Sequence, residues 1–112
     1  MKILFPILNN EKPLKLSLHF GHAPYFAIYD SQNKQLKIEN NDLNHNDANK
    51  SPVDQIVENF HPDIVVVKDI GSRAINLFNQ KGVKVMGSEY ELVEEIIGKL
   101  DELKEKTNSC NH

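Results

Sequence analysis

Asp63-Ile64-Val65-Val66-Val67 places four β-branched residues in an unbroken run behind a single acid. Strict alternation would mark a strand with one wet face. An unbroken apolar run marks a strand covered on both. The flanking sequence supplies the covers. Upstream, Ser51-Pro52-Val53-Asp54 offers a serine cap, a proline at the first helical position and an acid at the third, a strong helix start. Val53, Ile56, Val57 and Phe60 follow at helical spacing, and His61-Pro62 ends the element. Downstream, Gly71-Ser72 opens a second helix, with Ser72 expected as its cap. Ala74, Ile75, Leu77 and Phe78 form its apolar face, and Gly82 is its stop.

Working outward, Val83–Met86 reads as a further short strand. Ser88-Glu89-Tyr90-Glu91 has the spacing of a capping box for a third helix. Its predicted stripe is Leu92, Val93, Ile96, Ile97, Leu100 and Leu103. Glu89, Glu91 and Glu94 crowd the start of that helix, and Lys99, Lys104 and Lys106 its end, matching the helix dipole. Toward the N-terminus, residues 2–8 are expected to form a strand, with Pro6 marking a bulge or an unpaired position. Tyr25–Asp30 and Gln35–Glu39, joined by Ser31-Gln32-Asn33-Lys34, read as a hairpin. Asn40–Lys50 is a polar loop containing His45. The expected order is therefore an antiparallel opening followed by alternating β and α units, an α/β layer with helices on the sheet faces. Residues 1–105 form one domain in this reading, and residues 106–112 a flexible polar tail.

With 112 residues the chain can bury a modest single core. A formal charge of −3 gives no field for a phosphate backbone, so nucleic acid is not an expected partner. The apolar start Met1–Leu8 is too short to span a membrane and lacks a secretory cleavage pattern. The expected compartment is the cytoplasm, without membrane association. The lone cysteine, Cys110, excludes an internal disulfide and a four-cysteine metal site.

Chemistry concentrates in Leu18-His19-Phe20-Gly21-His22-Ala23-Pro24-Tyr25-Phe26. Two imidazoles, the commonest ligands for borderline metals, flank a glycine that permits a tight turn. Phe20 and Pro24-Tyr25-Phe26 are expected to pack this loop against the sheet and so orient His19. Ligands in open α/β sheets sit beyond the carboxyl ends of the strands, where Asp69-Ile70-Gly71-Ser72 and Gly87-Ser88 fall. Backbone N–H groups at Gly71 and Ser72 are suited to an anion. Cys110 and His112 add candidate ligands on the tail. Surface histidines, an ordinary strand-to-helix turn and a solvated tail are the plain alternatives for these three features. No nucleophile–base spacing is evident, so an enzyme is not expected.

His19-Phe20-Gly21, Ala23-Pro24-Tyr25-Phe26, Asp30, the Asp63–Val67 strand, Ile70-Gly71 with Ala74, and Gly82-Val83-Lys84-Val85 together resemble the dinitrogenase iron–molybdenum cofactor-binding domains. That family is typified by NifX and the C-terminal part of NifB. The likeness runs from Met1 to about Leu100, with His22 and Asp69 standing where the family commonly has arginine and a small residue. It implies a ribonuclease H-like three-layer fold with a five-stranded mixed sheet. It also implies non-catalytic binding or carriage of an iron–sulfur or iron–molybdenum cluster during cofactor assembly, with assembly or acceptor proteins as partners. His19 falls on the family's proposed cluster ligand. The site expected from the residues and the resemblance together is His19, Gly21, His22, Gly71 and Ser72, with His19, His22 and Cys110 as the metal-binding side chains. A regulatory or protein-interaction module that keeps the fold without a cofactor is the alternative.

Overall fold

A computed structural model describes residues 1–43 and 49–106. His45, Cys110 and His112 lie outside that range, as does the tail from residue 107. The strands are β1 (Lys2–Ile7), β2 (Tyr25–Asp30), β3 (Gln35–Asn40), β4 (Ile64–Val67), β5 (Lys84–Gly87) and β6 (Lys104–Glu105). The helices are α1 (Pro52–Phe60), α2 (Ser72–Gln80) and α3 (Val93–Gly98). The sheet order is β3-β2-β1-β4-β5-β6. Parallel pairing joins β1 to β4 and β4 to β5. The pairs β1–β2, β2–β3 and β5–β6 are antiparallel.

The strand at the centre of the sequence is covered on both faces. Val65 and Val67 join Leu4, Phe26 and Val85 beneath α1 and α2. Val66 faces the other way, with Ile3, Phe5 and Ala27, under α3 and the segment carrying Leu14 and Leu16. All three valines are fully buried. Burying each such side chain contributes about 1.5–3 kcal/mol, so the unbroken run belongs in the middle layer.

Local signals explain two of the helices. Ser51 Oγ accepts from the Asp54 N–H at 3.1 Å, and Asp54 Oδ2 accepts from the Ser51 N–H at 3.1 Å. That reciprocal box starts α1. His61 closes it in the left-handed conformation, at φ 49°. At the end of α2, Gly82 takes φ 79°. Its N–H donates to the Asn79 carbonyl at 3.1 Å, and the Val83 N–H donates to the Phe78 carbonyl at 2.9 Å. This is a Schellman turn, closed by burial of Phe78 and Val83 in one cluster. The cap at the other end of α2 is Gly71, whereas Ser72 is the first helical residue and makes no capping bond.

At Pro6 the unpaired alternative holds for the nitrogen and the bulge does not, and two further expectations need correction. Pro6 causes no bulge: it pairs with Phe26 in unbroken register. The Ser31 N–H donates to Met1 O, so odd residues of β1 bond to β2 and Pro6 turns its nitrogen away from that ladder. The third helix starts at Val93, not after Ser88, and ends at Gly98. A 3-10 turn at Leu100–Glu102 then leads into β6. The sheet accordingly has six strands rather than five. Lys104 and Glu105 have no strand character as residues; backbone pairing with Gly87 and Met86 holds them. The Lys106 N–H adds a bond to Val85 O at 2.7 Å.

Candidate functional site

The chain between β1 and β2 returns along the sheet before it reaches the histidines. Leu16 bridges Ile7, and Lys15 bridges Leu92. The Ser17 N–H donates to Pro6 O at 2.7 Å, occupying the side of β1 that the proline leaves without a donor. Ser17 is a buried polar residue, only 3% exposed. Its hydroxyl accepts from the His19 N–H at 3.2 Å and donates to His19 O at 3.0 Å. His19 then pairs in parallel with Asp69, at the carboxyl end of β4.

Phe20 anchors the next step. It is buried and meets the Phe78 ring edge-on, with centroids 5.3 Å apart. This fastens the loop to α2. Phe26 is fully buried against Phe60, at 6.0 Å between centroids. Pro24 stays exposed, so the packing expected of the whole aromatic run falls chiefly on Phe20 and Phe26. From the end of β3, Asn41 reaches back with its amide nitrogen. It donates to Gly21 O at 3.1 Å and to Ala23 O at 2.6 Å, bracing the backbone on both sides of His22.

These supports leave the imidazole of His19 on the surface. Among the described residues, the hydrogen bonds of His19 are made by its backbone, not its ring. His22 is likewise exposed. His19, Gly21, His22, Asp69, Gly71 and Ala74 line a groove of about 220 Å³. A second hollow of about 510 Å³ adjoins it, lined by Phe20, His22, Pro52, Arg73 and Leu77 among others. The two share Phe20, Gly21, His22, Gly71 and Ala74, which form the ridge between them.

The structure thus brings together His19, Gly21, His22 and Gly71 of the expected site, with Ser72 on the first turn of α2. A Cβ built on Gly71 meets nothing within 4 Å. Its glycine is therefore not demanded by packing; it leaves the start of α2 open. No side chain caps that end. The N–H groups of Ser72, Arg73 and Ala74 precede the first intrahelical bond, from Ile75 to Gly71 O. The exposed Arg73 adds a positive charge beside them. Among the described residues, no group of three or more His, Cys, Asp or Glu is placed to hold a metal ion. Two imidazoles alone do not complete a coordination sphere.

Ser17, Asn41 and Glu94 support this loop and escaped the reading of motifs. Glu94 accepts the Leu14 N–H with both carboxylate oxygens, at 3.0 and 3.2 Å. The bonds of Asn41 span 20 and 18 residues and those of Glu94 span 80, which leaves no local pattern; only the tendency of Ser and Asn to bond nearby backbone hinted at their use.

The fold and the site define an α/β protein whose histidine loop opens where parallel strands end. The chain matches the dinitrogenase iron–molybdenum cofactor family over residues 1–103 and belongs to it. An uncharacterized protein of Methanocaldococcus jannaschii, MJ0580, is 31% identical over 101 residues, covering 87% of this chain and 82% of its own. A Thermotoga protein solved by NMR, described as a candidate NifB protein of the DUF35 family, superposes with a TM-score of 0.73. It is 24% identical, over 93% of this chain and 91% of that one. The apo form of the orange protein from Desulfovibrio gigas gives a TM-score of 0.76 at 14% identity, over 94% of this chain and 92% of its own. These two likenesses establish the fold. No helix among the described residues is long and apolar enough to cross a membrane.

Proposed function

We propose that this protein binds and transiently carries a preassembled iron–sulfur or iron–molybdenum type cluster, without catalysing a reaction on it. The observation that carries this reading is the His19 imidazole: exposed at a groove, its backbone fixed by Ser17, its ring unengaged among the described residues. In this role His19 donates a nitrogen lone pair to an iron at the cluster edge. His22 flanks it, and the N–H groups of Ser72 and Arg73 at the open start of α2 face the negative charge of the cargo. Cys110 is a further candidate ligand from the tail.

Few protein ligands suit a carrier. A cluster that keeps its own sulfides and takes one imidazole bond leaves by exchange at a single site, whereas one held by four thiolates must break four bonds. The partners of such a protein are the assembly proteins that supply the cluster and the acceptors that receive it, in the cytoplasm. Family membership supports this reading.

The test is anaerobic loading of wild type and His19→Ala with synthetic or enzymatically built cluster, read by visible absorption and metal content. His19→Ala is expected to retain less than about a tenth of wild-type uptake, since losing even a partner that supports a ligand costs about tenfold or more in metal affinity. Wild-type uptake by His19→Ala would falsify the assignment of that ring.

A further inference from the structure

The outer edge of β3 has no strand beside it among the described residues. All six of its residues pair in continuous register with β2, so the strand is regular along its whole length. The Asn41 N–H donates to Pro24 O at 3.1 Å, which fixes the alternation. Lys37 and Glu39, in step with Asn41, turn their backbone groups inward to β2. Leu36, Ile38 and Asn40 turn theirs outward.

Side chains alternate as well. Leu36 and Ile38 stand opposite Tyr29 and Ala27, whereas Lys37 and Glu39 stand opposite Ile28 and Phe26 on the other face. Ile38 is 37% exposed, one of four large apolar residues in that condition among the described residues. Lys37 and Glu39 are exposed, and neither has an ion-pair partner among the described residues. Charged side chains normally protect such an edge. Here the two charges are opposite and two residues apart, which makes the edge complementary to itself.

We propose that β3 pairs antiparallel with β3 of a second copy of this chain, about a two-fold axis at Ile38, to form one continuous sheet. In that register Ile38 faces Ile38, the outward amides and carbonyls of Leu36, Ile38 and Asn40 meet their counterparts, and Lys37 lies opposite Glu39 twice. The register is unique. A slip of two residues sets Lys37 against Lys37 or Glu39 against Glu39, and a slip of one sets outward groups against inward ones. An edge contact of six residues is small, so association is concentration-dependent rather than permanent.

Sedimentation of the full chain across a wide concentration range tests this. Wild type is expected to pass from monomer to dimer. Lys37→Glu and Glu39→Lys each place like charges opposite one another and are expected to weaken dimerisation at least about tenfold. An equimolar mixture of those two variants regains both ion pairs and is expected to dimerise as wild type does. Ile38→Pro removes an N–H that points away from β2, so it is expected to abolish the dimer while the circular dichroism stays unchanged. A wild type that stays monomeric at every concentration overturns the proposal. So does a dimer indifferent to Lys37→Glu and Ile38→Pro, because its contact then lies on another surface.

Discussion

Ser51-Pro52-Val53-Asp54 and Ser88-Glu89-Tyr90-Glu91 share a serine with an acid three residues on, yet only the first begins a helix. At Ser51 the side chain and the acid close on each other's backbone N–H groups. At Ser88 the hydroxyl accepts instead from the Tyr90 N–H at 3.0 Å, a tight turn two residues long. The difference lies in what approaches from elsewhere. Glu91 O accepts from the Leu16 N–H at 2.7 Å, and the Val93 N–H donates to Leu14 O at 2.8 Å. Leu92 is held between them in an extended conformation, at φ −97° and ψ 131°. Backbone groups claimed by a distant segment are not available to a helix. A local signal decides where nothing competes with it, and yields where a strand-like partner does. The competing partner here is the segment that leads to His19.

The largest expected effect sharpens that contrast at its distant side. Glu94→Ala leaves the N–H of fully buried Leu14 without its acceptor and should lower stability by about 1–3 kcal/mol. Urea unfolding measures the loss, and amide exchange should quicken at residues 14–17. The exposed neighbour Glu95 serves as control: its replacement by alanine should stay within about 0.5 kcal/mol. An equal loss in both would show that Glu94 does not hold the loop.

The serines themselves come next. Ser51→Ala should cost about 1 kcal/mol, the usual contribution of a cap. Ser88→Ala should cost less than about 0.5 kcal/mol, because no helix starts there. Equal costs would break the comparison.

The smallest effect is a pH dependence at the first start alone. A hydrogen bond from Lys81, 2.8 Å away, and bonds from Ser51 hold the Asp54 carboxyl below its usual value of 3.8. Because the folded state favours the ionised form, the stabilisation is complete above the unfolded pKa and is lost as pH falls through the folded one. Between pH 5 and about 2.5 wild type should therefore lose more of its urea midpoint than Asp54→Asn. Parallel curves for the two proteins would remove Asp54 from the account.

The same logic separates what could be read in the sequence from what could not. Val65–Val67, the Ser51 box, Gly82 and the hairpin around Ser31–Lys34 are written in adjacent residues, and the structure bears them out. The helix after Ser88 and the strand at Lys104–Glu105 depend on distant partners, Lys15 against Leu92 in the first case and Met86 and Gly87 in the second, and propensity misjudged both. The His19–His22 motif was legible as a pattern, and the structure places it on one groove with Gly71. Its supports were not legible, since Ser17, Asn41 and Glu94 act on backbone groups rather than through side-chain spacing.

Asn41 carries a consequence for whatever docks beside His22. Its amide grips the carbonyls of Gly21 and Ala23 before any visitor arrives. A backbone already ordered surrenders little entropy on capture. In the proposed carrier role, such preorganisation favours prompt arrival, since capture does not wait for the loop to rearrange.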